Sequence, residues 1–225
     1  MIRLNIVVEG HCEEQFVRDI LGEYFAPKGI YVCARRVKTG RKSGKDYRGG
    51  VTTYAKIKND VLRWLAEDSS AYLSTFFDLY RLPNDFPQFQ EAQKQPEPLQ
   101  RVVCLETAFE NDINHEKLIP YIQLFEFEGL LFSDVQAIDE CVTLTLDAPS
   151  QLEKLHQIRH QYSTPEHIND GVNTAPSKRL GALYSHYDKV LHGSLISEAI
   201  GLNKLRQECP HFDKWVYRLE NLVVL

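Results

Sequence analysis

Apolar positions open the chain as a short run. Ile2, Leu4, Ile6, Val7 and Val8 are mostly β-branched and read as a buried strand. Glu9-Gly10 ends that run, and the glycine is expected to turn the chain through a positive φ. The period then changes: Phe16, Val17, Ile20, Leu21 and Tyr24 recur at helical spacing, which puts Glu13 and Glu14 in the first turn of a helix. Pro27-Lys28-Gly29 marks a turn before a second strand over 30–37. The stretch 38–48, KTGRKSGKDYR, carries no apolar period and predicts a mobile loop. Tyr54, Ile57, Val61, Leu62 and Leu65 share one face of a helix over 52–66. A third strand, 72–77, stops at Asp78, and a proline-bounded loop follows to Pro87.

The polar stretch 88–100 predicts a surface excursion or a small helix, and 101–110 fits either a short strand or one side of a helix. YIQLF, 121–125, reads as a strand running into Glu126-Phe127-Glu128-Gly129. Beyond Asp139 the pattern is helical: 151–162, a turn at 165–171, a helix capped by Ser177, then 195–205 and 212–222. Strands alternating with helices, then helices alone, predict an α/β core with a mostly parallel sheet over 1–140. A helical section, 141–225, is expected to pack on it.

Composition adds bounds rather than a function. Hydrophobic residues make up 43% and charged residues 25%, ordinary values for a globular chain of 225 residues. The net charge of −5 exerts no general pull on nucleic acid, so any basic surface must be local. Lys38, Arg41, Lys42, Lys45 and Arg48 form such a cluster, either as solvated loop or as an arm that contacts phosphates. Five scattered cysteines without a CxxC pair point to a reducing compartment. With no leader-like start and no membrane-length apolar run, a cytoplasmic setting without membrane contact is expected.

Three of the predicted strand ends carry acids: Glu9 with Glu13, Asp78, and Glu126 with Glu128. Ligands of open α/β sheets bind at strand carboxyl ends, and clustered carboxylates suit a hard cation such as Mg²⁺. Plainer readings stand beside this one. Glu13 and Glu14 complement a helix dipole, and aspartate is common just after a strand. Two acids around one aromatic, Glu126-Phe127-Glu128, are harder to explain as surface, because buried carboxylates are costly unless paired or bound to metal. Alternation puts both on one face; Glu126 is the expected ligand, and Glu128 a second ligand or a dipole partner. His11 could shuttle a proton or simply be exposed. Lys178 and Arg179 open a helix either as a solvated pair or as counter-charge to a phosphate.

Taken together, VEGHCEE, FFDLYRLPNDFP, QLFEFEGLLFSD, INDGVNTAPSKRL and IGLNKLRQECPHFDKWVYRLE resemble the family named domain of unknown function 4276. The resemblance runs in order over nearly the whole chain. That family is similar to the TOPRIM fold of topoisomerases, primases and overcoming-lysogenization-defect nucleases. The resemblance implies a Mg²⁺ (or Mn²⁺) site at the strand ends of a compact sheet. It further implies a nuclease acting on DNA or RNA in defence against mobile elements, or a non-catalytic module working with a partner ATPase. Glu9 matches the TOPRIM glutamate, with a catalytic role, and Glu13 the second acid of the nuclease-type turn. Of the paired aspartates only Asp78 matches, because Tyr80 takes the second place; Glu126 or Glu128 would have to supply the missing ligand.

Overall fold

The opening run forms β1 (Ile2–Val8), and every residue from Ile6 to Val8 is buried. The computed structural model describes residues 1–42, 45–48, 53–169, 171 and 173–222, with backbone alone at 38–42 and 45–48. Gly10 is extended, at φ −131°, so the expected positive φ is not its role. α1 (His11–Phe16) begins there and runs through a π-helical turn (Val17–Leu21) into α2 (Gly22–Phe25). Gly29, at φ +76°, makes the turn into β2 (Ile30–Arg36). The predicted loop at 38–48 is instead an antiparallel hairpin, β3 (Lys38–Lys42) and β4 (Lys45–Arg48). The side chains of Lys38, Arg41, Lys42, Lys45 and Arg48 lie outside the described residues, as does the mobility expected of this stretch.

α3 (Tyr54–Glu67) buries Ile57, Val61, Trp64 and Leu65 on one face. β5 (Tyr72–Asp78) is buried throughout and carries Asp78 as its last residue, before a 3₁₀ turn at Leu79–Arg81. The polar excursion holds α4 (Phe89–Gln93). The ambiguous stretch 101–110 is helical, inside α5 (Pro98–Ile113). Proline at its start presets helical φ, and Val102, Leu105, Phe109 and Ile113 recur at the spacing that buries one helix face. Of the predicted YIQLF strand only β7 (Ile122–Gln123) is extended in the sheet, and a second short strand, β6 (Leu118–Ile119), precedes it. Pro120 has no N–H to give the ladder. Across the gap Thr75 accepts the Tyr121 N–H at 2.9 Å and donates its hydroxyl to the Tyr121 carbonyl at 2.9 Å.

Helices follow: α6 (Glu128–Leu131), α7 (Val135–Leu146), α8 (Leu152–Arg159), α9 (Pro176–Leu183), α10 (Lys189–Ile200), α11 (Leu202–Glu208) and α12 (Pro210–Glu220). The helix expected at 195–205 is two helices, because Gly201 at φ +74° breaks it.

All pairings in the main sheet are parallel, in the order β2-β1-β5-β6, with β7 continuing alongside the end of β5. Alternation sorts its side chains to two faces. Leu4, Ile6, Val8, Tyr72 and Phe76 meet the helices α1, α7, α10 and α12, whereas Val7, Leu73 and Phe77 meet α3 and α5. The chain leaves β1 towards β2 on one side, then returns to β5 on the other. The order reverses between β1 and β5, which is where a parallel sheet opens a crevice beyond its strand ends. No helix among the described residues is long and apolar enough to cross a membrane.

Candidate metal centre

Glu9 and Asp78 stand on either side of that reversal, at the carboxyl ends of β1 and β5. Glu9 is only 2% exposed. One of its oxygens accepts the Asp78 N–H at 3.3 Å, and the other, Oε2, has no hydrogen-bond partner among the described residues. Burial, and then the charge of Glu13, push its carboxyl up to about 8 against the pull of Arg81.

Glu13 reaches back from α1 to accept the Gly10 N–H at 3.0 Å. A Cβ at position 10 would stand 2.8 Å from that carboxylate oxygen, so a larger residue there would push the Glu13 carboxylate aside. Burial raises Glu13 above the usual carboxylate range as well. Asp78 accepts the Phe127 N–H at 2.9 Å, tying the end of β5 to the 126–128 turn. Burial raises Asp78 well above the usual carboxylate range, and the charges of Glu13, Glu9, Glu128 and Glu126 add to it. The charges of four buried carboxylates from the three strand ends therefore all reach Asp78.

The third strand end is shaped by Phe125, whose φ of +62° is uncommon for a bulky residue. Its carbonyl accepts the Tyr80 N–H at 3.1 Å, so the backbone is held across to the Asp78 turn. Phe127 buries its ring against Phe16, at 5.4 Å between centroids, while its two glutamate neighbours meet Lys189. Glu126 Oε2 accepts the Ser177 N–H at 3.1 Å, and its Oε1 lies 3.9 Å from Lys189 Nζ. Glu128 Oε1 lies 3.0 Å from the same ammonium. Burial raises Glu128, and Lys189 works against it. Burial disfavours the charge on Lys189 too, but Glu128 and Glu126 outweigh it and hold the ammonium above the ordinary lysine value.

The cations whose fields reach the acids are Arg81 and Lys189, neither singled out by the sequence. Arg81 sits three places beyond Asp78 in the 3₁₀ turn, a signal within reach of sequence reading. Lys189 opens α10, and no local pattern links it to Glu128. Of the expected basic pair, Lys178 is exposed. Arg179 donates to the Thr174 carbonyl at 2.6 Å and to the Tyr162 hydroxyl at 3.1 Å. His11 is exposed and engages Arg36 at 2.8 Å and Glu14 at 3.7 Å rather than Glu9. Tyr80 is 44% exposed.

The donor set is all carboxylate oxygen, the chemistry of Mg²⁺ or Mn²⁺. As the side chains stand, no three His, Cys, Asp or Glu groups among the described residues close on one ion. Four of the five acids are instead held by backbone N–H groups. The buried, unpartnered Oε2 of Glu9 is the feature that fits a cation: a carboxylate oxygen in that position is costly without positive charge beside it. An apolar groove of about 610 Å³ along α5 lies elsewhere, lined by Leu99, Val103, Cys104 and Ala108.

The family described as Domain of unknown function (DUF4276) matches residues 8–220, from the end of β1 to the end of α12. The chain belongs to the DUF4276 family. No match is found among curated proteins. Among solved structures, the DUF4276 chain is similar to the C-terminal region of the Burkholderia pseudomallei OLD protein. That likeness has 14% identity, covers 98% of this chain and 99% of that one, and has a TM-score of 0.48. It is similar as well to the C-terminal region of the Xanthomonas campestris pv. campestris OLD protein. There the identity is 15%, the coverage 97% and 96%, and the TM-score 0.46.

Proposed function

We propose that this DUF4276 protein is a Mg²⁺- or Mn²⁺-dependent enzyme that cleaves phosphodiester bonds in DNA or RNA. The convergence of five buried carboxylates on the crevice between β1 and β5 carries this reading. Glu9, Glu13 and Asp78 would hold the ion. A divalent cation held there supplies a more acidic bound water and charge stabilisation for the leaving oxygen. The chain's own residues do the rest. Arg81 brings a guanidinium to the rim of the crevice, suited to the non-bridging oxygens of a phosphate. Lys178 follows Ser177, whose N–H holds Glu126, and is exposed where a nucleic-acid backbone would approach. The hairpin residues Lys38, Arg41, Lys42, Lys45 and Arg48 would neutralise further phosphates.

The test is cleavage of single- and double-stranded DNA and of RNA, with Mg²⁺, with Mn²⁺ and with chelator. Cleavage should require the ion and should be lost in Glu9→Gln and in Asp78→Asn. Tyr80, standing exposed where the TOPRIM pair has its second aspartate, favours a second reading. In that reading the sheet is a non-catalytic module serving a partner ATPase in defence against mobile elements. Ion binding without cleavage of any of these substrates would select it.

A further inference from the structure

Both carboxylate oxygens of Glu126 are committed, one to the Ser177 N–H at 3.1 Å and one towards Lys189 at 3.9 Å. Glu128 holds the same ammonium at 3.0 Å. We propose that Lys189 takes the place of a second metal ion: the crevice admits one divalent cation, at Glu9, Glu13 and Asp78, while the Lys189 ammonium serves Glu126 and Glu128. This inference rests on the metal-dependent reading above.

The half of the crevice with need of a cation is the Glu9 side, where three acids face the field of one guanidinium, Arg81. There an oxygen buried to 2% residue exposure is without a partner among the described residues. In the other half the Lys189 ammonium already offsets one of the two carboxylate charges from within the chain. Two-ion sites place their metals about 3.5–4 Å apart on shared carboxylates. An ammonium 3.0 Å from Glu128 already occupies that carboxylate and would repel a divalent cation brought to the same oxygen.

Lys189 is held at that place by the whole of α10. Asp188 caps the helix, accepting the Val190 and Leu191 N–H groups at 2.8 and 2.9 Å. At Gly193 the helix packs against Phe127, where a Cβ would lie 3.4 Å from the ring, at van der Waals distance. The turn bearing Glu126 and Glu128 and the helix bearing Lys189 are thus packed as one piece.

The experiment counts Mn²⁺ ions bound per chain by calorimetry, with free Mn²⁺ followed by electron paramagnetic resonance. Wild type should bind one ion, lost in Glu9→Gln. Lys189→Met should bind two, the second lost again when Glu128→Gln is added. Lys189→Arg, which keeps the charge, should stay at one. Glu128→Gln alone should also stay at one, with affinity within about threefold of wild type. Two ions in wild type, one in a folded Lys189→Met, or loss of the ion in Glu128→Gln overturns the inference and leaves the metal-dependent reading standing. The wild-type and Glu128→Gln counts decide it even if Lys189→Met does not fold. No ion bound by wild type removes both.

Discussion

At Glu9 one oxygen is served by a backbone N–H and the other by nothing among the described residues, in a place water scarcely reaches. The electrostatic consequence has a definite sign. The folded carboxyl titrates near 8 against an ordinary 4.5, so between those values the folded state holds the proton and the unfolded state does not. Stability from this group is therefore full below about pH 4.5 and is lost as the pH rises through about 8. In chelator, Glu9→Gln should leave the melting temperature near wild type at pH 5 and raise it at pH 9. The gain should be on the order of a few kcal/mol, several degrees for a chain of this size. A variant that melts lower than wild type at pH 9 would show that Glu9 is satisfied in the absence of metal. Phe125 belongs to the same scale: its positive φ is a local strain in the backbone just before Glu126.

Between elements, Asp139 is the clearest joint. From α7 it accepts the Ser150 hydroxyl at 2.6 Å and the Gln151 N–H at 2.7 Å, and also the hydroxyl of Tyr184 beyond α9. Burial pushes its carboxyl up, but these hydrogen bonds outweigh burial and the net shift is downward. Its contribution is thus present above the ordinary aspartate range and lost as the pH falls through it. Asp139→Ala should lower stability by about 2–3 kcal/mol at pH 7, and the difference from wild type should narrow towards pH 3 in thermal melts. The hairpin of β3 and β4 carries a prediction of another kind. Replacing Lys38, Arg41, Lys42 and Lys45 with Ala should weaken nucleic-acid binding and reduce the slope of log K against log salt by about 3–4. Equal affinity at low salt would leave the hairpin without a role in binding.

For the molecule as a whole, the core does not divide where the element types change. One buried cluster runs from Leu4 and Phe76 in the sheet to Phe212, Trp215 and Leu219 in α12. Trp215 stacks on Tyr121 with centroids 4.3 Å apart and donates its indole N–H to Ser74 at 2.8 Å. Glu166, itself buried, accepts the His211 and Phe212 N–H groups at 3.0 Å and fixes the start of that helix. Residues 1–140 expressed alone should lack a cooperative melt, because one face of the sheet loses the helices α10 to α12. Trp215→Ala in the full chain should cost about 3–5 kcal/mol in denaturant unfolding. A cooperative melt of 1–140 would place an independent core within the first section.

Much of this was legible locally. The apolar runs at 2–8 and 72–77, the helical spacing at 54–65 and the acids that follow the strands are patterns within a dozen residues, and short-range physics is enough to read them. That is why the strand ends bearing Glu9 and Asp78 could be named before any contact was known. The hairpin at 38–48 and the helix over 101–110 needed more, since apolar period is weak in one and ambiguous in the other. Tertiary structure alone decided which charges meet. Lys189 finds Glu128 only because α10 docks against the 126–128 turn, and Arg179 finds Tyr162 and Thr174 because they close around it. A carboxylate's burial and partners depend on segments far away in the chain, whereas its place at the end of a strand depends on its neighbours.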